Sequence, residues 1–269
     1  MTGSGNDFVM VDARLSAPGD WSPADIRVVC ARGTGVGADG VVFVGPGSDA
    51  QPGWARMIYF NSDGSHATMC GNAALCSTRL AARLGIAPAD GMWLETDAGT
   101  YQSRCLGETD QAELHLTPVL RPAEIPGLRV IPGEHRAALG IVGVPHLVVM
   151  VDDVDQVDLA ARGRALRFDP ALAPGGGANV NFISPGGNPT DWRMRTYERG
   201  IEGETLACGT GAVAAACALD SWGLASPPIT VRTRSGRTLG VRGRSMRTEQ
   251  YNDVWLAGEA RLVFRGVLG

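Results

Sequence analysis

Met69-Cys70-Gly71-Asn72-Ala73-Ala74 and Ala207-Cys208-Gly209-Thr210-Gly211-Ala212 decide how this chain folds. Each follows a polar loop and opens a stretch rich in Ala, Leu and Arg or Val, and each has a glycine fifteen residues past its cysteine, at Gly85 and Gly223. A helix with Cys-Gly in its first turn and a glycine beyond its C-terminus has this pattern. The two cysteines lie 138 residues apart, as do Tyr59 and Tyr197, Gly85 and Gly223, and Gly5 and Gly143. A constant offset over that span marks an internal duplication, so each half is expected to place its cysteine at the same point of one fold.

Working outward from the cysteines, strand-like runs flank both helices. Phe8–Asp12, Val41–Val44 and Trp54–Phe60 precede the first, and Met92–Thr96, Thr100–Cys105 and Ala112–Thr117 follow it. Pro118, Pro122, Pro126 and Pro132 then punctuate an irregular stretch that reads as the linker. The second half is expected to open at Gly143-Val144-Pro145-His146, with strands at Leu147–Val151 and Trp192–Tyr197 and a helix over Asp153–Arg167. After Gly223, strands are expected at Ile229–Thr233, Thr238–Arg242, Val254–Ala257 and Arg261–Arg265. Each half thus reads as mostly strands with one prominent helix. Gly35, Gly37 and Gly40 match the dinucleotide spacing G-x-G-x-x-G, but that fingerprint must open a helix, whereas here it opens a strand. A tight turn facing the substrate fits better.

Bulk composition narrows the function. The chain has 269 residues, 44% of them hydrophobic and 19% charged, ordinary for a soluble globular protein with a proper core. A net charge of −4 provides no electrostatic footprint for nucleic acid or an anionic membrane surface. No apolar run approaches the ~18–20 residues of a membrane span. The N-terminus lacks the charged start and apolar segment of a signal peptide, so a cytoplasmic protein with six reduced thiols is expected. All 24 basic residues are Arg. Without lysine the chain forms no Schiff base with pyridoxal phosphate or a carbonyl substrate, and supplies no P-loop lysine.

A thiol at a helix N-terminus is favoured as thiolate, and the exposed N–H groups beside it, accessible at Gly71 and Gly209, form a carboxylate cradle. If two pseudo-symmetric halves face each other, a carboxylate held between the helix starts has a thiol on each side of its α-carbon. That arrangement removes a proton from one face and delivers one to the other, with no cofactor. A cysteine hydrolase needs one nucleophile and a histidine, which leaves the second Cys-Gly copy unexplained. A ligand-binding protein on the same scaffold has no need of both thiols. No C-x-x-C occurs and the four histidines are scattered, so no metal site is expected. Cys30, Cys76, Cys105 and Cys217 read as small buried hydrophobes.

At these residues the chain resembles the diaminopimelate epimerases, part of a wider set of cofactor-independent racemases and isomerases built from two similar halves. The motifs that carry the resemblance are Gly5-Asn6-Asp7-Phe8, Gly35 to Gly40, Phe60-Asn61-Ser62-Asp63-Gly64-Ser65, Met69-Cys70-Gly71-Asn72, Pro145-His146, Asn179-Val180-Asn181-Phe182, Tyr197-Glu198-Arg199-Gly200 and Glu204 to Gly211. It implies an α/β (α+β) fold of two halves, each a strand barrel around a central helix, with the active site in the cleft between them. The halves would comprise residues 1–117 plus 261–269, carrying Cys70, and residues 118–260, carrying Cys208. It implies interconversion of LL- and meso-2,6-diaminopimelate, in the bacterial route to lysine and peptidoglycan, by Cys70 and Cys208 as acid and base. His146 and Glu198 would orient and support the thiols. Asn6, Asn61 and Asn179 would bind substrate, Arg199 would pair with its distal carboxylate, and Gly71-Asn72 with Gly209-Thr210 would hold the reacting one. A small amino-acid substrate and a homodimer are expected; a racemase of another amino acid is the alternative. Three departures stand out: only four residues precede Gly5, where the family places a strand; Leu75 replaces an Arg; and Val144 stands where the family has a substrate-contacting Asn.

Overall fold

Parallel neighbours in a sheet cannot be joined by a hairpin and need a crossover, usually a helix. That rule accounts for the helices of this chain. A computed structural model describes residues 1–48, 52–116, 118–244 and 249–268. The chain divides into two units, Met1–His115 with Ala257–Gly269, and Leu116–Leu256.

In the first unit the strands run in the order Thr2–Gly3, Asn6–Asp12, Gly40–Pro46, Trp54–Asn61, Met92–Thr96, Gly99–Cys105 and Gln111–Leu116. The pairings in that order are antiparallel, parallel, antiparallel, parallel, antiparallel and antiparallel. The two parallel steps are crossed by helix α1 (Pro23–Cys30) and helix α2 (Gly71–Arg83).

The second unit repeats the scheme. Glu134–Val142, Val144–Val151, Asn179–Pro185, Asp191–Glu198, Ile229–Arg232 and Thr238–Arg242 pair antiparallel, parallel, antiparallel, parallel and antiparallel. Helices α3 (Leu159–Arg167) and α4 (Gly209–Ser221) cross the parallel steps. A short strand, His66–Ala67 in one unit and Gly203–Thr205 in the other, pairs with the strand ahead of the cysteine helix. The offset of 138 residues thus reappears as one topology used twice.

The outer helices are amphipathic, whereas α2 and α4 are surrounded. In α2, Asn72 to Thr78 are all buried, and in α4 the run Gly211 to Leu219 is. Helix α2 packs against Thr2–Gly3, Asn6–Asp12, Gly40–Pro46, Trp54–Asn61, Met92–Thr96 and Gly99–Cys105; α4 packs against Glu134–Val142, Val144–Val151, Asn179–Pro185 and Thr238–Arg242. Small residues allow this close approach. A Cβ on Gly3 would lie 2.9 Å from the carbonyl of Asn72 and 3.1 Å from Cys76 Sγ. Outside the strands, α1 buries Ile26 and Cys30 with Val41 and Phe43, while α3 buries Leu159 and Leu166 with Val180, Phe182 and Tyr197.

Several expectations are corrected. Among the described residues the prominent helix of each unit is joined by a second, shorter crossover helix, unexpected in the first unit, because each unit contains two parallel steps. Ser22-Pro23-Ala24-Asp25 carries the start signal for α1: Ser22 Oγ accepts from Asp25 N–H, while the Asp25 carboxylate accepts from Ser22 N–H at 2.8 Å. Helix α3 begins at Leu159, preceded by a 3-10 turn at Val154–Gln156. The second half does not open at Gly143, since Glu134–Val142 is already a strand. The proline-rich stretch contains strand Val119–Leu120, paired with Gln250–Tyr251. Beyond Glu259 no strand forms over 261–265; Arg261 makes an isolated bridge to Thr2. Thr117, the expected end of one strand, lies outside the described residues.

Candidate active site

Both cysteines occupy the same structural position. Cys70 is the N-cap of α2, with φ −143° and ψ 121°, and Cys208 is the N-cap of α4, with φ −136° and ψ 105°. The first intrahelical bonds run from Ala74 N–H to the Cys70 carbonyl and from Ala212 N–H to the Cys208 carbonyl, at 2.9 and 3.0 Å. The N–H groups of Gly71 and Asn72, and of Gly209 and Thr210, therefore have no acceptor within their helices, and neither cysteine side chain makes a capping hydrogen bond to its own helix start. Each cysteine sits beside an anion-binding helix end. Cys70 is half-buried, and Cys208 is 9% exposed.

In the first unit a relay of amides reaches that helix start. Asn72 Nδ2 donates to Asn6 Oδ1 at 2.7 Å, and Asn6 Nδ2 donates to Asp39 Oδ2 at 2.9 Å. A carboxylate only accepts, so Asp39 fixes which way both amides point. The result is that Asn72 Oδ1 is a buried acceptor with no hydrogen-bond partner among the described residues. Arg32 ties the far end down, donating to Asp39 Oδ1 at 2.9 Å and to both oxygens of Asp7. Burial pushes the Asp7 carboxyl up, but Arg32 and the hydrogen bonding with Asp39 together hold the pKa below its ordinary value. Asn61 lies at the same end of the sheet, opposite Gly40, and its Nδ2 donates to Ser65 Oγ at 3.0 Å. Gly40 admits no side chain: a Cβ there would lie 2.4 Å from the Phe60 carbonyl.

The second unit builds its site around a residue absent from the sequence-based candidates. Asn181 is fully buried; its Nδ2 faces both the Leu147 carbonyl and His146 Nδ1 at 3.3 Å, and its Oδ1 accepts from Thr196 Oγ1 at 2.9 Å. A Cβ on Gly211 would lie 2.3 Å from Asn181 Oδ1 and 3.1 Å from Cys208 Sγ, so Asn181 and the thiol flank the same glycine. Since the Leu147 carbonyl requires the amide N–H, His146 Nδ1 is the acceptor and Nε2 carries the hydrogen. That Nε2 is buried without a hydrogen-bond partner among the described residues. Burial, then the nearby Arg199 guanidinium, pushes the His146 pKa down to about 3, so the ring is neutral at ordinary pH.

Asn179 pairs in register with His146 and accepts the Arg199 backbone N–H on Oδ1 at 2.7 Å. Arg199 Nη1 donates to the Gly177 carbonyl at 3.3 Å. Glu198, half-buried, ends the strand that carries Thr196, and Thr210 Oγ1 lies 3.8 Å from Cys208 Sγ. The second unit therefore gathers His146, Asn179, Arg199, Cys208 and Thr210, and the first gathers Cys70, Asn72 and Asn6. Asn181 and Asp39 were the omissions. Both sit inside motifs quoted above, and for Asn181 the available signal is an asparagine set between Val180 and Phe182. The remaining cysteines are inert by burial: Cys30 is pushed up to about 11, and Cys76 and Cys217 to about 12, while Cys105 is raised.

A duplicated α/β fold whose two surrounded helices each begin on a cysteine defines the two-thiol racemase and epimerase class. The comparisons sharpen this. The family model described as diaminopimelate epimerase matches residues 1–119 and 140–250. A diaminopimelate epimerase of Gemmatimonas aurantiaca is 46% identical over 99% of this chain and 96% of that protein. One of Aquifex aeolicus is 40% identical over 100% of this chain and 96% of that protein. The chain belongs to the diaminopimelate epimerase family. The fold alone is shared more widely. A phenazine biosynthesis protein of the PhzF family from Bacillus anthracis superposes with TM-score 0.69 at 15% identity, over 96% of this chain and 92% of that one. A hydroxyproline epimerase from Agrobacterium vitis does so at 0.62 and 19% identity, over 91% and 78%. Among the described residues no helix is long and apolar enough to cross a membrane.

Proposed function

We propose that this chain epimerises LL-2,6-diaminopimelate to the meso form without a cofactor, with Cys70 and Cys208 as the acid–base pair. The observation that carries the reading is their equivalence: each is the N-cap of the corresponding helix of a repeated topology. One thiolate takes the α-hydrogen from one face of the reacting carbon and the other thiol delivers a hydrogen to the opposite face. The bond that breaks is C–H and the bond that forms is C–H, so no electrons leave the substrate and the thiol and thiolate exchange roles in each turnover.

The first-turn N–H groups of Gly71-Asn72 and Gly209-Thr210 hold the reacting carboxylate, where the helix dipoles favour the negative charge that develops as the α-hydrogen departs. Asn72 Oδ1, with its orientation set through Asn6 by Asp39, accepts a hydrogen bond from substrate nitrogen. His146, neutral, acts as a hydrogen-bond donor through Nε2, not as a charged acid. Glu198 supports the thiol chemistry, Asn6, Asn61 and Asn179 bind substrate, and the Arg199 guanidinium fork takes the distal carboxylate. In this reading the protein is a cytoplasmic homodimer acting in lysine and cell-wall precursor synthesis.

Incubation with LL-diaminopimelate in heavy water, following chirality and mass together, tests the reading. Deuterium is expected at the α-position of the inverted product, without added metal or pyridoxal phosphate. Cys70→Ala and Cys208→Ala are each expected to abolish inversion. Substantial inversion by either variant, or product formed without solvent hydrogen, would rule the mechanism out.

A further inference from the structure

Arg167, at the end of α3, and Glu202, in the turn after Arg199, close a circuit that brackets Arg199 on both sides. Arg167 Nη1 donates to the Gly176 carbonyl at 2.9 Å, and its Nη2 lies 3.2 Å from Glu202 Oε1. The same Oε1 accepts Gly200 N–H at 3.1 Å, and Glu202 N–H donates to the Glu198 carbonyl at 2.8 Å. Arg199 lies between these ties, its guanidinium donating to Gly177 and its backbone N–H to Asn179.

Two observations show that this is more than an ordinary turn. Glu202 holds φ at +54°, a region that residues with a Cβ occupy at a cost. Its Oε2 is buried with no hydrogen-bond partner among the described residues, which a carboxylate free to swing into water avoids. The other side of the bracket is equally constrained: a Cβ on Gly177 would fall 1.9 Å from Arg167 Nη1, so the loop rests directly on the guanidinium. The Arg167 side chain is 11% exposed and cannot relax far.

We infer that the Arg167–Glu202 ion pair positions Arg199, and so sets how tightly the enzyme holds the carboxylate distant from the thiols. The inference rests on the reading of Arg199 as the partner of that carboxylate. Arg167 and Glu202 act through Arg199 and are positioning residues.

Glu202→Gly separates this role from a structural one, because glycine adopts φ +54° without penalty. The variant is expected to melt no lower than the parent, yet to show KM for LL-diaminopimelate raised about tenfold with kcat changed less than about threefold. Arg167→Met, which keeps the apolar stem, is expected to raise KM by the same order with kcat changed as little. In an Arg199→Ala background neither substitution is expected to raise KM further, since the group they position is gone. An unchanged KM in Glu202→Gly, or an increase that multiplies that of Arg199→Ala, overturns the positioning role while leaving the carboxylate reading intact. An unchanged KM in Arg199→Ala alone overturns the carboxylate reading, and this inference with it.

Discussion

At the scale of single residues, the site depends on polar atoms whose neighbours leave them one partner short. His146 is buried neutral, with its pKa pushed from 6.5 down to about 3 by burial and then by Arg199. The unfolded chain binds the same proton near pH 6.5, so between pH 6.5 and 3 the unfolded state holds the extra proton. Stability therefore falls as pH drops through that window, by about 1.4 kcal/mol per unit, and this group contributes no dependence above it. Urea midpoints of the parent are expected to decline more steeply between pH 6.5 and 4.5 than those of His146→Gln; parallel declines would show that the ring protonates while folded. Val144 presents the opposite case. It is 37% exposed at the start of its strand, equivalent under the repeat to Asn6, and it offers neither donor nor acceptor. A polar substrate group left unpaired beside it costs roughly 1–3 kcal/mol, about five- to 150-fold in affinity. Val144→Asn is accordingly expected to lower KM for diaminopimelate; steady-state kinetics with an unchanged KM would show that another group already makes the contact.

At the scale of elements, the start of each surrounded helix is where chemistry and packing meet. Helix propensity favours Ala over Gly in a helix by about 1 kcal/mol. At Gly211 the clash outweighs that gain, since a Cβ would press to 2.3 Å on Asn181 Oδ1 and 3.1 Å on Cys208 Sγ. Overpacking of this kind costs about 1–3 kcal/mol. Gly211→Ala is expected to lower both the urea midpoint and kcat, whereas a variant at the exposed Gly85 turn would disturb stability alone through its φ of +65°. Retained kcat in Gly211→Ala would mean that Asn181 moves aside without consequence for the thiol.

At the scale of the whole molecule, the proposed mechanism requires two equivalent thiols to be in different protonation states at the start of turnover. The rate is expected to be bell-shaped in pH, with two macroscopic pKa values that belong to the pair rather than to Cys70 or Cys208 separately. A single sigmoid in kcat/KM across the range would argue for one essential thiol.

The sequence alone determined the duplication, the family and most strands, because these are written in local patterns. Short strand-like runs give Met92–Thr96 and Thr238–Arg242 to the residue, and Cys-Gly with a downstream glycine gives both surrounded helices. Glu134–Val142 escaped because Ala137, Ala138 and Gly140 dilute its alternation, and its pairing with Val144–Val151 supplies what propensity does not. Helix α1 escaped although its capping signal was present, because its necessity follows from the parallel pairing of Asn6–Asp12 with Gly40–Pro46. Only the tertiary structure decided which polar atoms meet. Asn72 finds Asn6 across 66 positions, Asn181 finds His146 across 35, and Glu202 reaches Arg167 across 35. No periodicity spans such distances, so the neutral ring of His146, the orientation of Asn72 and the bracket around Arg199 come from burial and from partners that folding alone brings together.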